Sequence, residues 1–465
     1  MRIAVAVAAV LALAGTGHAE EAAKIDTGDT AWMLTSSALV LMMTAPGLAL
    51  FYGGLVRSKN VLNLLMQSFI LMALISVQWV LWGYSFSFGG TGRIFGNLAH
   101  LGLRGVGGEP ASFAPTIPAQ VFMAFQMMFA IITPALMTGA FAERMKFSAF
   151  IVFSLLWATI VYDPLAHMVW GGGFLGLGDG NVGALDFAGG TVVHISSGIS
   201  ALVCAVVIGK RLGYGSDPMP PHNMPFVLTG AALLWFGWFG FNAGSALASN
   251  ALAASAFVAT NTAAASAALA WMGFEWVGKG KPTVLGAASG AVAGLVAITP
   301  ASGFVAPMPA LLIGVIAGVL CYTACDLKPK LGWYDDALDV VGVHGVGGTW
   351  GAIATGLWAS SSVNSVVTKQ GLLISGEWGL LGSQLVAIGV TYLLAIVGSL
   401  ACLAVAGAIT GGLRVNEDDE FAGLDLSQHS ENAYMFATGG YGGGTSDAFA
   451  ARQTHHAAVG ARALE

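Results

Sequence analysis

Two histidines that lie in long apolar runs are the residues of this chain best placed to do chemistry. His194 lies in the stretch 184–195, ALDFAGGTVVHI, and His344 lies in the stretch 336–349, DALDVVGVHGVGGT. Each histidine follows an aspartate by eight residues, Asp186 in the first stretch and Asp336 in the second. Ionisable groups are costly inside apolar segments and usually face a pathway or a partner there.

The histidine pair could act as a proton relay or as a polar lining for a small amine. Two adjacent neutral imidazoles can share a proton, because one ring nitrogen donates while the other accepts. The spacing leaves open the alternative of two unrelated structural histidines. A metal site is disfavoured, because no third ligand lies at a useful spacing from the pair.

The two aspartates lie where each apolar run begins, and each has two interpretations. Asp186 could attract or orient a cation, or it could cap the N-terminus of a helix, and the two roles are compatible. For Asp336 we expect a solvated helix cap. Trp170, Phe129 and Phe241 could accept a cation through their aromatic faces, although packing or interfacial anchoring explains most aromatic residues equally well.

Composition indicates a membrane protein. The chain has 56% hydrophobic and only 9% charged residues, with a mean hydropathy of +0.76, whereas soluble domains carry about 25% charged residues. Its apolar runs are continuous, which disfavours a β-barrel. All four cysteines fall within these runs, so we expect no disulfide. We find no nucleophile–base constellation, and we predict neither an enzyme, a cofactor nor a nucleic-acid partner.

The apolar runs predict an all-α polytopic protein with three regions. Residues 1–19 resemble a cleaved signal peptide, residues 20–410 form the membrane domain, and residues 411–465 form a polar, acidic tail. We predict eleven transmembrane helices, at 31–51, 61–87, 118–141, 147–169, 190–209, 225–244, 251–274, 284–299, 304–325, 338–358 and 379–408.

Basic residues predict the orientation of the chain. Eleven lysines and arginines fall in alternate connections or after the last span, and only four fall on the opposite side. Connections rich in basic residues stay in the cytoplasm, so we expect a periplasmic N-terminus and a cytoplasmic C-terminus. The odd number of spans agrees with this orientation.

The two halves of the chain echo each other. The pattern Phe-x-x-Gly-x5-Asn occurs at 51–60 and again at 241–250, and the aspartate–histidine spacing recurs from the fifth predicted span to the tenth. The second copy begins five spans after the first. Because five is an odd number, the second copy crosses the membrane in the opposite direction. We therefore predict a five-plus-five inverted repeat, which places a transport site near the midplane.

Taken together, these stretches resemble the ammonium transporter family (Amt/Mep/Rh), and within it the bacterial Amt branch. The similarity covers about residues 27–434. It rests on PGLALFYGGLVRSKN at 46–60, AFAERMKFSA at 140–149, AHMVWGGG at 166–173, ALDFAGGTVVHI at 184–195, WFGFNAGSA at 238–246, VGVHGVGGT at 341–349 and GLDLSQHSENAY at 423–434.

The resemblance implies a role for each candidate residue of the outer site. Trp170, Phe129 and Ser245 match the family's outer recruitment site for ammonium, and Asp186 matches the aspartate needed there. Phe129 and Phe241 match the stacked gate beneath that site.

The same resemblance implies how the pore works. His194 and His344 match twin histidines in a narrow hydrophobic pore, one pore in each subunit of a homotrimer. An intact ammonium ion would lose several kcal/mol or more of hydration in such a pore. The site should therefore release the proton and pass ammonia, or methylamine from methylammonium. We expect the histidines to carry a net movement of protons or charge along with it.

The resemblance also implies a location and a partner. It places the protein in the bacterial inner membrane with a role in nitrogen metabolism, and the tail resembles the end that meets PII-class regulatory proteins. Two other functions remain open, an ammonium sensor that signals through such a partner and a gas channel of the Rh type. The WGGG and tail motifs disfavour the gas channel, and the lack of a fused signalling domain disfavours the sensor.

Overall fold

The computed structural model describes residues 24–434, which form a bundle of helices. The main helices are α1 (Thr27–Leu55), α2 (Ser58–Phe88), α3 (Ala119–Phe141), α4 (Phe147–Val169), α5 (Gly190–Ile208), α6 (Met224–Gly244), α7 (Ala251–Lys279), α8 (Val284–Ile298), α9 (Pro307–Leu331), α10 (341–358) and α11 (Gly379–Thr410). The tail adds α12 (Glu417–Ala422) and α13 (Leu424–His429). The predicted signal peptide lies outside the described residues.

The predicted all-helical membrane fold is confirmed. Within residues 24–434, nine helices are long and apolar enough to cross a membrane, and α8 is a shorter apolar helix. The histidine-bearing α10 is also helical, as a π-helical turn, Val341–Val346, that continues into Gly347–Trp358. Helices thus cover all eleven predicted positions, while the count of eleven membrane crossings stays a prediction.

Local sequence explains where several helices begin and end. The side chains of Asp26 and Asn250 accept hydrogen bonds from the backbone N–H groups of Asp29 and Ala253, which caps α1 and α7. Such N-caps satisfy donors that have no partner within the helix. Gly280 ends α7 in the left-handed region, with a φ of 80°, where glycine is favoured because it has no side chain.

One face of the bundle carries the tail, and we call it the tail face. The tail binds the first turn of α2, the start of α4 and the connection that precedes α6. The Asn60 side chain accepts from Leu424 N at 2.8 Å, Gln428 accepts from Phe147 N at 3.1 Å, and Glu420 accepts from Leu212 N at 2.7 Å. The tail therefore contacts the membrane domain from Glu420 to Gln428.

The charged residues of the tail face pair with each other. Arg57 Nε donates to Glu143 Oε2 at 2.6 Å, and Arg211 pairs with Asp335 at 2.8 Å. Burial alone would raise the pKa of Glu143, but Arg211 and Arg57 hold it below its usual range. The alternate connections predicted to share one side of the membrane do lie together.

The prediction for Asp336 was right about the helix cap and wrong about its exposure to solvent. Its side chain is fully buried, and Asp336 Oδ2 accepts from Val341 N at 2.8 Å. Burial raises the pKa of this carboxyl. The residue does cap α10, but the folded chain excludes its side chain from solvent.

The opposite face, which we call the outer face, is built around residues 89–118. A two-stranded hairpin, β1 (Pro110–Ala111) and β2 (Ala114–Pro118), ends at α3. Asp26 N donates to Thr116 O at 2.8 Å, which joins this segment to the start of α1. The segment covers the end of the bundle where the candidate outer site lies.

The two histidine helices cross in the centre of the bundle. Both α5 and α10 begin with a π-helical turn that carries the histidine. They approach closely at Gly198 and Gly345, where a side-chain carbon on Gly198 would overlap the Gly345 backbone. Small residues at a crossing let helix backbones approach closely in membranes, and here the close approach brings the two histidines together.

Candidate functional site

Three cavities lie in a row through the bundle and contain all the predicted site residues. The outer cavity has a volume of about 370 Å³ and is lined in part by Trp170, Phe129, Asp186 and Ser245. A cavity of only about 10 Å³ follows, which includes Phe241 and both histidines in its wall. The inner cavity, on the tail face, has a volume of about 180 Å³ and shares His344. The residues picked from separate motifs therefore lie along one path.

The outer cavity offers aromatic faces and hydroxyl oxygen to a cation. The Trp170 ring lies edge-on to Phe129, with ring centroids 6.0 Å apart. Trp170 Nε1 donates to the backbone oxygen of Asp186 at 2.8 Å, which fixes the indole. Ser245 Oγ donates to Phe241 O at 2.8 Å, so its lone pairs remain available as acceptors. An ammonium-type cation fits these groups, because it donates hydrogen bonds and binds aromatic faces.

The carboxylate of Asp186 is occupied by the start of α5. Its Oδ1 accepts from Gly189 N at 2.8 Å and from Gly190 N at 2.6 Å. Its Oδ2 accepts from Thr191 N at 2.7 Å, from the Thr191 hydroxyl and from Val192 N at 3.3 Å. Of the two interpretations of this residue, the geometry therefore favours the helix cap, and it adds a second structural contact through the carbonyl that holds Trp170.

Two phenylalanines separate the outer cavity from the histidines. Phe129 and Phe241 have ring centroids 4.3 Å apart with planes at 35°, and both are almost fully buried. Phe241 continues inward to His194, at 6.1 Å between ring centroids. A solute must displace these rings to move from the outer cavity towards the histidines.

The two histidines are in direct contact. Their Nδ1 atoms lie 3.2 Å apart, and both side chains are buried. Since the two nitrogens share one hydrogen bond, one ring must donate through Nδ1 and the other must accept. His194 also stacks on Trp238 at 5.5 Å between centroids. Within the described residues, His194 Nε2 has no hydrogen-bond partner, so it can interact with a passing solute.

Sequence reasoning missed several polar residues near this path. Gln126 lines the outer cavity and Asp339 lines the inner one. Asp163 and His167 are fully buried in α4. The pattern that indicated His194 and His344, an ionisable group in an apolar run, applies equally to Asp163 and His167.

The described residues offer no metal site. Between residues 24 and 434, no group of three or more His, Cys, Asp and Glu side chains is placed to hold a metal ion. The groups along the path can bind a cation, transfer a proton between nitrogens and contact a small solute.

Comparison with known proteins gives consistent matches over most of the chain. The profile of the Ammonium Transporter Family matches residues 31–434. The ammonium transporter of Bacillus subtilis (strain 168) is 52% identical over 410 residues, which cover 88% of this chain and 98% of that protein. The crystal structure of Saccharomyces cerevisiae Mep2 superposes with a TM-score of 0.81 at 38% identity, covering 90% of this chain and 94% of Mep2. A structure named Sensor Amt Protein superposes with a TM-score of 0.77 at 28% identity, covering 86% and 98%.

Proposed function

This chain belongs to the ammonium transporter family, and we propose that it recruits ammonium at the outer cavity, removes a proton and conducts ammonia past His194 and His344. Net movement of protons or charge accompanies the ammonia. The contact of 3.2 Å between the two histidine Nδ1 atoms, at the end of a path from an aromatic cavity, is the observation that carries this proposal.

Recruitment uses the groups that surround the outer cavity. The faces of Trp170 and Phe129 attract a cation, and the Ser245 oxygen accepts one of its N–H groups. Since the Asp186 oxygens are used by α5, this residue acts mainly by holding Trp170 and the start of the helix. The cavity is wide enough to keep part of the ion's hydration while these contacts form.

Deprotonation is favoured because the path beyond the outer cavity is narrow and has few polar groups. Beyond Phe129 and Phe241 the path narrows and its polar groups are the two imidazoles. Desolvation disfavours a charged form over the neutral one. An ammonium ion at this boundary therefore releases its proton more readily than it does in water, and ammonia enters.

The histidines provide a polar route through the apolar pore. Ammonia both donates and accepts hydrogen bonds, and each imidazole offers one ring nitrogen for the path because Nδ1 of each is used by the other ring. Exchange of donor and acceptor roles between the rings moves a proton across the pair. Potassium has no proton to release, so it meets the full cost of entering the narrow segment as an ion.

The proposal is tested by currents from protein reconstituted in liposomes. The parent should give currents with ammonium and none with potassium. We expect His194→Ala, His344→Ala and the double variant to lose this selective current while subunit assembly is retained. His100→Ala changes a half-buried histidine of the outer face that lines none of the three cavities and is the matched control. Parental ammonium currents in the double variant would rule out the relay.

The site also leads to proposals about assembly and location. We propose a homotrimer in the bacterial inner membrane, with the outer face in the periplasm and the tail face in the cytoplasm. This orientation follows the excess of basic residues on the tail face. Residues 1–19 would direct export and be cleaved, 20–410 would conduct, and 411–465 would regulate. Methylammonium is the proposed substrate analogue, and a PII-class protein is the proposed partner at the tail.

A sensor is the second candidate function. The similarity to a structure named Sensor Amt Protein and the ordered tail on the tail face favour it. A sensor would bind ammonium at the same outer cavity but pass little or none. Uptake of labelled methylammonium into cells without their own transporter separates the two, because binding without uptake supports the sensor.

A further inference from the structure

A group of buried polar residues lies outside the conducting path, between the outer ends of α2 and α4. Gln78, Ser87, Asp163 and His167 are each at most 1% exposed. Among the described residues that line the three cavities, none of these four is present. An ionisable residue buried in a membrane helix needs a functional or structural reason, and the mechanism proposed above uses neither Asp163 nor His167.

Hydrogen bonds from these residues join the outer halves of the two helices, with Gln78 just before the π-helical turn of α2 and Ser87 in its last turn. Gln78 Nε2 donates to Asp163 Oδ2 at 2.7 Å, and Ser87 Oγ donates to Asp163 O at 3.3 Å. One turn later, His167 Nδ1 lies 3.0 Å from Ser87 O and Nε2 lies 2.6 Å from Gly92 O. Whichever ring nitrogen carries the hydrogen, His167 donates to a carbonyl at or just after the end of α2.

Both helices change their winding next to this contact, α2 directly after Gln78 and α4 directly before Asp163. A π-helical turn, Trp79–Gly83, precedes the last turn of α2, and another, Ala158–Tyr162, precedes the last turn of α4. Such turns shift the register of the residues that follow and often occur at functional sites. The remaining π-helical turns within residues 24–434 lie in α1, α5 and α10, which line the path.

The joined turns carry two walls of the outer cavity. Phe88 is the last residue of α2, and Trp170 follows α4 directly; both line that cavity. The segment between Asp163 and Trp170 is short and continuous, because Trp170 N donates to Ala166 O at 2.8 Å. The position of the Trp170 indole is thus set at one end by Asp186 O and at the other by the turn that begins with Asp163.

We propose that Gln78 and Asp163 are positioning residues for the outer site, because their hydrogen bond ties α2, just before its π-helical turn, to the start of the last turns of α4 and thereby fixes the Trp170 indole. They touch neither the substrate nor the path. The pair needs one donor and one acceptor and needs no second charge, so an asparagine at 163 should do the same work through its amide oxygen. The effect on substrate affinity rests on the function proposed above, whereas the effect on Trp170 does not.

Fluorine NMR of the indole tests the positioning directly. The full chain is labelled with 5-fluorotryptophan, and the Trp170 resonance among the 13 tryptophans is assigned by its loss in Trp170→Phe. In Asp163→Leu we expect this resonance to shift or split, since the indole samples more than one position. Asp163→Asn should restore the parental resonance. Thr391→Val, which removes a buried hydroxyl bonded only within α11, is the control and should leave it unchanged.

Transport of methylammonium gives the second readout. In Asp163→Leu the half-saturating concentration should rise roughly fivefold, the factor expected from loss of one hydrogen bond, with the maximal rate within about twofold of the parent's. Asp163→Asn should match the parent in both quantities. A lower maximal rate at unchanged half-saturation would overturn the proposal, because it would place the defect in the pore.

A double variant keeps the test valid if Asp163→Leu does not fold. Removing both partners leaves no buried polar group without a partner and can be nearly neutral for stability, so Gln78→Met/Asp163→Leu should fold even where Asp163→Leu does not. A parental Trp170 resonance in this double variant would overturn the proposal. A parent that transports nothing would defeat the proposed function instead, and the fluorine spectra would still decide the role of the pair.

Discussion

Replacing Asp186 with asparagine separates the capping role of this residue from the role of its charge. The substitution keeps the size of the side chain and the backbone carbonyl that accepts from Trp170. It replaces one of two oxygens that accept from four backbone N–H groups at the start of α5. Either orientation of the new amide places its nitrogen against two of those N–H groups, both of which then lack an acceptor.

The expected loss of stability follows from those two groups. A buried donor left without a partner costs about 1–3 kcal/mol. With the amide nitrogen in the place of Oδ2, Thr191 N, which donates at 2.7 Å, should lose the full free energy of its hydrogen bond. Val192 N, which donates at 3.3 Å, should lose less. We therefore expect Asp186→Asn to lower the free energy of unfolding by about 2–4 kcal/mol, with a loss of ammonium affinity because Trp170 shares the same anchor.

Thermal unfolding of the purified protein, followed together with methylammonium uptake, checks this prediction. Thr191→Val removes only the hydroxyl donor to Asp186 and keeps the backbone N–H, so its midpoint should fall less than that of Asp186→Asn. If Asp186→Asn unfolds at the parental temperature and yet transports nothing, the charge matters and the cap does not, and the reasoning from geometry is refuted.

Three further predictions concern the gate, the crossing of the histidine helices and the tail. Phe241→Ala should open the barrier between the outer cavity and His194 and admit potassium, which ion-selectivity measurements on liposomes would detect. Gly198→Ala should push α5 away from α10, because the new methyl group would meet the Gly345 backbone. We expect it to reduce both thermal stability and ammonium current. Gly382→Ala, where the new methyl group meets open space, is the control. Burial lowers the pKa of His429 below its usual value of 6.5. Docking of the tail should therefore be complete above pH 6.5 and weaken as the pH falls below it. Hydrogen exchange of residues 417–429 would show this weakening, and His429→Gln should remove it.

The sequence was sufficient for the parts of the site that depend on pattern. The repeated aspartate–histidine spacing suggested that His194 and His344 belong to equivalent helices, and an inverted repeat would bring equivalent helices together. The structure places the two rings in contact. Apolar runs likewise located the helices, since a membrane span must be long, apolar and hydrogen-bonded within itself.

Long-range contacts set the limit of sequence reasoning. Asp336 was expected in solvent because it stands where an apolar run begins, but its side chain is fully buried, and the neighbouring Leu338 N donates to Gly139 O of the distant helix α3. The docked tail depends on pairs such as Asn63 N and Asp425 Oδ1, which are 362 residues apart. A single sequence gives no signal for such a contact. Asp163, by contrast, is visible in the sequence as an acid in an apolar run, but the repeated aspartate–histidine spacing gives no signal for it.

On the proposed mechanism, the narrow segment between Phe241 and the histidines would select against ions without a dedicated charged filter. Besides the two imidazoles its wall is apolar, with residues such as Met43, Leu48 and Ile132. A cation there would lose water and find no carboxylate in compensation, and the penalty for a desolvated ion is several kcal/mol. A neutral amine loses far less, and it finds a ring nitrogen at each histidine. Selectivity on the proposed mechanism thus comes from the acid–base chemistry of the solute, and an ion with no proton to release is rejected whatever its radius.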